Sequence, residues 1–90
     1  MNIQKMKYSQ YKYNAKLRNY SFDLTFRQFC SFWKVSCSYC GDSIDEIGLD
    51  RINNELGYSM DNVVPCCRTC NYMKMNQDYD TFINQCRKIV

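Results

Sequence analysis

The sequence predicts a small α+β domain held closed by a structural metal ion, and three observations lead there. Two Cys-x-x-Cys pairs, Cys37/Cys40 and Cys67/Cys70, stand 26 residues apart, the spacing of a tetrahedral four-thiolate zinc site. Between the pairs lie two short runs of strand character, 47–52 and 62–66, while helical periodicity flanks them on both sides. A chain of 90 residues buries only a thin core, so a metal staple meets a physical need.

Taken in order, residues 5–19 read as a helix with Tyr8, Tyr11 and Ala15 at helical spacing. Lys5, Lys7, Lys12, Lys16 and Arg18 interleave with the tyrosines, a composition suited to phosphate contact; the bland alternative is a solvated helix whose tyrosines bury one face. Thr25-Phe26-Arg27-Gln28 has the form of a capping box, in which hydroxyl and amide satisfy opposite orphan donors. A helix from Phe26 to about Lys34 should follow, with Phe26, Phe29, Cys30 and Trp33 on its core stripe. Residues 1–34 thus form a basic helical extension packing on a core at 35–90.

Gly41 gives the first knuckle its backbone freedom, and 42–46 is an acidic turn. The first strand, 47–52, places Leu49 and Arg51 on one face and Asp50 on the other. Gly57 marks the turn of the loop at 53–60, and the second strand ends at Pro65 and Cys66. A helix begins within the second knuckle and runs to about Met75, which sets Asn71, Lys74 and Met75 on one face. Asp78 caps a last helix, 79–89, with Phe82, Ile83, Cys86 and Ile89 inward and Arg87 and Lys88 in its final turn.

Charge is unevenly spread. The net +3 divides into +6 over residues 1–34, with Asp23 the lone acid, and −3 over 35–90. Four zinc-bound thiolates make the second part more negative still, so the basic surface is N-terminal. The sequence has no apolar run of membrane-spanning length and no apolar signal core at its start, so a soluble, intracellular protein in a reducing compartment is expected. An odd count of seven cysteines in paired knuckles favours zinc over disulfides, and Cys30, Cys66 and Cys86 are expected as small buried hydrophobes.

Leu49-Asp50-Arg51-Ile52, Gly57-Tyr58 and the run from Asn62 through Cys67-Arg68-Thr69-Cys70-Asn71-Tyr72-Met73-Lys74 resemble the HNH endonuclease family over residues 37–82. A basic helix ahead of the first knuckle is similar to phage-type members. The resemblance implies a ββα-metal fold, a ribbon and helix holding one Mg2+ or Mn2+ against a DNA phosphodiester. It implies Asp50 and Asn71 as ligands of that ion, Asn62 as the brace of the loop, and Lys74 as a nucleic-acid contact. Arg51 stands where the family has its general-base His, and the chain contains no His. An Arg stays protonated and cannot accept a proton from water, although it can stabilise transition-state charge.

The expectation is therefore a metal-dependent endonuclease of DNA, slow for want of that base, in which Asp50, Arg51, Asn62 and Asn71 form the catalytic set. RNA is the alternative substrate, and a partner protein could supply specificity. The other readings are a catalytically inactive nucleic-acid-binding module on the same scaffold and a zinc-stapled protein-interaction domain.

Overall fold

The computed structural model describes residues 2–75 and 77–90. Its elements are helices α1 (Ile3–Leu17) and α2 (Phe26–Cys30), strands β1 (Leu49–Arg51) and β2 (Val63–Pro65), and helices α3 (Arg68–Lys74) and α4 (Tyr79–Ile89). The strands form one antiparallel ribbon in which Leu49 faces Pro65, Asp50 faces Val64 and Arg51 faces Val63.

α1 begins two residues earlier than its periodicity suggested, because Asn2 caps it by accepting from the backbone of Gln4 and Lys5. Its Tyr8, Tyr11 and Ala15 turn inward as expected. Tyr8 meets Phe22, Phe26 and Phe29 edge-on, and its hydroxyl donates to the Leu24 carbonyl at 2.7 Å. Tyr11 packs on Phe29 and Tyr58, so these two rings serve the core rather than a nucleic acid.

The Thr25–Gln28 capping box forms in both directions and starts α2. That helix is shorter than expected. It gives way to turns at 31–34, where Lys34 takes a left-handed φ of 56° and donates its N–H to the Glu46 carbonyl. Phe29 is wholly buried and joins Leu24, Leu49 and Val63 in a core that continues from the N-terminal helices into the ribbon.

A ribbon of two three-residue strands is marginal alone. Here it is covered on both faces, which is why Leu49, Asp50 and Arg51 are all buried. The N-terminal segment also pairs with the ribbon's loop: Phe22 and Tyr58 make a parallel bridge in which Tyr58 N–H donates to Ser21 at 2.9 Å and Asp23 N–H to Tyr58 at 2.7 Å. Gly57 is small for this approach, since a Cβ there would lie 2.3 Å from the Ser21 carbonyl oxygen. Gly41 supplies φ +82° in the first knuckle, where Cβ would be strained.

α4 has the expected bounds and its Asp78 cap, accepting from Thr81 N–H at 2.8 Å. Phe82 is buried, with Ile83 and Cys86 half-buried, whereas Ile89 is exposed because the helix outruns the core beneath it. Among the described residues no helix is long and apolar enough to cross a membrane.

Candidate functional site

The metal centre follows from two knuckles docked on one ribbon. Ser38 donates from both backbone and side chain to the Pro65 carbonyl, at 2.9 and 2.8 Å, and so ties the first knuckle to β2. The second knuckle opens α3, where Cys67 caps the helix through its sulfur. The Sγ atoms of Cys37, Cys40, Cys67 and Cys70 all lie within 4.8 Å of one another. Four sulfurs in that volume fill a tetrahedron and leave no open position, the arrangement of a structural zinc.

The thiols' acidity shows the same crowding. Burial pushes Cys70 up, reinforced by the thiols of Cys67, Cys40 and Cys37. Cys40 also rises, its hydrogen bond from the Asp42 backbone being outweighed by desolvation and the neighbouring thiols. Burial would raise Cys37 too, but backbone donors from Cys40, Cys67 and Tyr39 bring it down to about 6. Four thiolates this close repel one another unless a cation lies between them. Cys66 is a fifth, buried thiol beside the cluster, held protonated by burial and by the Asp50 charge at about 12. It donates to the Cys67 carbonyl and belongs to the packing, whereas Cys30 and Cys86 are only half-buried.

Asp50 and Arg51 are not among the residues that line the cleft beside α1. Strand alternation holds without a bend, so Asp50 points inward: Tyr39 Oη donates to its Oδ2 at 2.6 Å, and Lys74 Nζ lies 3.1 Å from Oδ2 and 3.2 Å from Oδ1. Lys74 also donates to the Arg51 carbonyl at 3.3 Å. Burial, and then the bond to Asp50, hold the Tyr39 phenol well above its ordinary range. Lys74, expected on a phosphate, is therefore corrected: with 0% exposure it is the internal counter-charge of Asp50. The helical face drawn through Asn71, Lys74 and Met75 divides, with Lys74 inside and the other two exposed.

Arg51 is buried too. Its guanidinium donates to the carbonyls of Asn54 and Leu56, at 2.6 and 2.9 Å, and lies 3.6 Å from the Tyr20 ring centroid. With 8% exposure and its Nη1 bonded to these two carbonyls, this group braces its own loop. Asn62 works beside it, accepting from Asn53 N–H at 2.9 Å and donating to the carbonyls of Asn53 and Gly57.

Asn71 stands in a cleft. On one side α1 offers Lys7, Gln10, Asn14 and Arg18; Tyr11, Leu49 and Tyr58 lie with them, and Asn71 closes the other side of a space of about 290 Å³. The Leu49 N–H donates to Tyr11 Oη at 3.3 Å, and burial raises the Tyr11 phenol. Sequence reasoning missed Gln10 and Asn14, although their spacing from Lys7 and Arg18 puts all four on one helical face. Of the remaining expected contacts, Lys5, Lys12 and Lys16 are exposed, Lys12 over the Tyr8 ring.

The Asp50 carboxylate and Asn71 amide are oxygen donors of the kind Mg2+ takes, but both Asp50 oxygens are engaged by Tyr39 and Lys74 and Asp50 is not among the residues lining the Asn71 cleft. The charge of Asp50 is already matched by Lys74, and no further cluster of three or more potential ligands occurs among the described residues.

No protein-family model matches the chain. It is 39% identical over 85 residues to the uncharacterized protein R423 of Acanthamoeba polyphaga mimivirus, an alignment that takes in 92% of this chain and 16% of that much longer protein. The structure resembles that of the rare-cutting HNH restriction endonuclease PacI, with a TM-score of 0.80 and 24% identity over 99% of this chain and 78% of that one. The chain has an HNH-like, zinc-stapled α+β fold.

Proposed function

We propose that this chain is an HNH-type endonuclease domain that hydrolyses DNA phosphodiester bonds with a divalent cation. The observation that carries the reading is the fold match over 99% of the chain to an HNH restriction endonuclease. The α1 cleft supports it by providing a cationic groove that ends at Asn71.

In this reading Zn2+ at the four cysteines is structural, and Mg2+ or Mn2+ would be held by Asp50 and Asn71, which requires Lys74 to release the Asp50 carboxylate. A divalent ion there would supply Lewis acidity at a phosphoryl oxygen. The chain's residues do the rest. Asn71 presents its amide oxygen from the first turns of α3, Asn62 and Arg51 keep the ribbon loop in shape, and Lys7 and Arg18 draw in the phosphate backbone. Without a His, the loss of a side-chain general base costs roughly 10²–10⁴-fold in rate, so the enzyme is slow.

A second reading has its own observation. The Asp50–Lys74 pair and the self-directed Arg51 leave Asn71 as the exposed member of the expected catalytic set, which favours a nucleic-acid-binding module that has given up catalysis.

The deciding experiment is nicking of supercoiled plasmid by zinc-loaded protein with Mg2+ or Mn2+, beside Asn71→Ala. This substitution is preferable to Asp50→Ala, which strands a buried lysine. Nicking abolished in a normally folded Asn71→Ala supports the endonuclease. Plasmid binding without any nicking leaves the binding module.

A further inference from the structure

α1 carries its cations on two flanks. At 3.6 residues per turn, Lys7, Gln10, Asn14 and Arg18 fall at i, i+3, i+7 and i+11 on one flank of the apolar face, and Lys5, Lys12 and Lys16 fall on the opposite flank. Only the first flank borders the cleft that contains Asn71 and Tyr58. The opposite flank carries three cations to the first flank's two, so what singles out the first is its surroundings.

We infer that this first flank is the seat of one DNA strand: Lys7 and Arg18 each pair with a backbone phosphate, and the amides of Gln10 and Asn14 bond the sugar-phosphate between them, holding the strand against Asn71. The inference rests on the proposed activity for its choice of DNA as ligand. The spacing suits a strand. Eleven helical residues separate the two cations by roughly 16 Å, and at a rise of 3.4 Å per nucleotide they span about five nucleotides. Lys7 is now 3.7 Å from Glu46, with both side chains a third or more exposed, so the pair is weak and a phosphate can replace the carboxylate. Asn14 and Gln10 are short neutral donors between the charges, the type of side chain that positions a backbone without adding to its salt dependence.

The test uses the zinc-loaded full chain and a fluorescein-labelled DNA duplex, followed by anisotropy over a KCl series without Mg2+ or Mn2+. Lys7→Ala/Arg18→Ala should lower the slope of log affinity against log salt by about two, whereas the charge-matched Lys5→Ala/Lys16→Ala lowers it by less than half as much. Asn14→Ala should weaken binding with the slope unchanged. An equal or larger effect of Lys5→Ala/Lys16→Ala overturns the assignment, as does the absence of salt-dependent DNA affinity. Plasmid nicking is scored separately on the same preparations. Nicking by wild type whose DNA binding ignores Lys7 and Arg18 removes the strand seat alone; the predicted slopes without nicking support the seat and remove the nuclease.

Discussion

Lys74 Nζ lies 3.1 Å from Asp50 Oδ2, and the two side chains are 0% and 6% exposed. A buried pair of this kind is costly to break and cheap to replace as a unit. Removing one partner by Asp50→Ala or Lys74→Ala should therefore cost about 3–5 kcal/mol, because the other charge is left uncompensated. The double replacement Asp50→Leu/Lys74→Met should recover most of that loss. Urea unfolding of the four proteins measures it; additive single effects would mean that the pair carries no coupling. Loss of nicking in Asp50→Ala is thus uninformative unless folding is measured alongside.

Arg51→Lys should be destabilising despite keeping the charge. Both carbonyls are bonded by one nitrogen, Nη1, while the planar guanidinium stacks on Tyr20; a lysine is shorter and has no planar face, so it cannot keep the two bonds and the stacking together. Hydrogen bonds to charged groups contribute about 1.5–3 kcal/mol, and a loss of that order is expected in chemical denaturation. A stable Arg51→Lys with a large defect in nicking would instead put Arg51 in the chemistry.

Gly57→Ala tests the clamp of the N-terminal segment on the ribbon loop. The added Cβ meets the Ser21 carbonyl oxygen at 2.3 Å, so backbone must shift. Overpacking of this sort costs about 1–3 kcal/mol, and amide exchange should quicken at Tyr58 and Asp23, whose N–H groups close the bridge. Unchanged protection there would show that the two segments move independently.

Zinc affinity should fall as pH falls. Without metal, Cys37 sits at about 6 while Cys40 and Cys70 lie above the ordinary thiol value. The ion binds thiolates alone, so its uptake at neutral pH drives protons off Cys40 and Cys70, and acid returns them. Below about 6 Cys37 protonates as well and the loss steepens. The zinc-linked stability is accordingly present at neutral pH and is lost on acidification. Chelator competition between mildly acidic and neutral pH reads the slope, and a flat profile would exclude thiolate ligands.

Features set by neighbours in the chain were legible in the sequence. The Thr25–Gln28 box, the Asp78 cap, the Gly41 turn and the two knuckles each need only local chemistry, and each is present. The alternation that places Asp50 opposite Leu49 and Arg51 was legible too. That the Asp50 face is closed to solvent as well was not, because that depends on Tyr39 and Lys74 arriving from distant segments to enclose Asp50. The bracing role of Arg51 was not legible for a related reason: its stacking partner Tyr20 lies 31 positions away, beyond the reach of periodicity. The cleft wall on α1 could have been found by sorting its cations by helical angle rather than counting them.

The position of Tyr20 and Phe22 under the ribbon loop imposes a direction on assembly during synthesis. In chain order the rings of α1 and of the segment after it precede the ribbon, so Arg51 and Tyr58 are synthesised after the rings they pack against, Tyr20 for Arg51 and Tyr11 and Phe22 for Tyr58. Cys40 then waits 27 residues for Cys67, the sulfur beside it in the finished centre. Until that residue is made, the first knuckle is an open dithiol that can hold an ion only loosely. The four-cysteine centre is complete only once Cys70 is made, after both strands of the ribbon it closes.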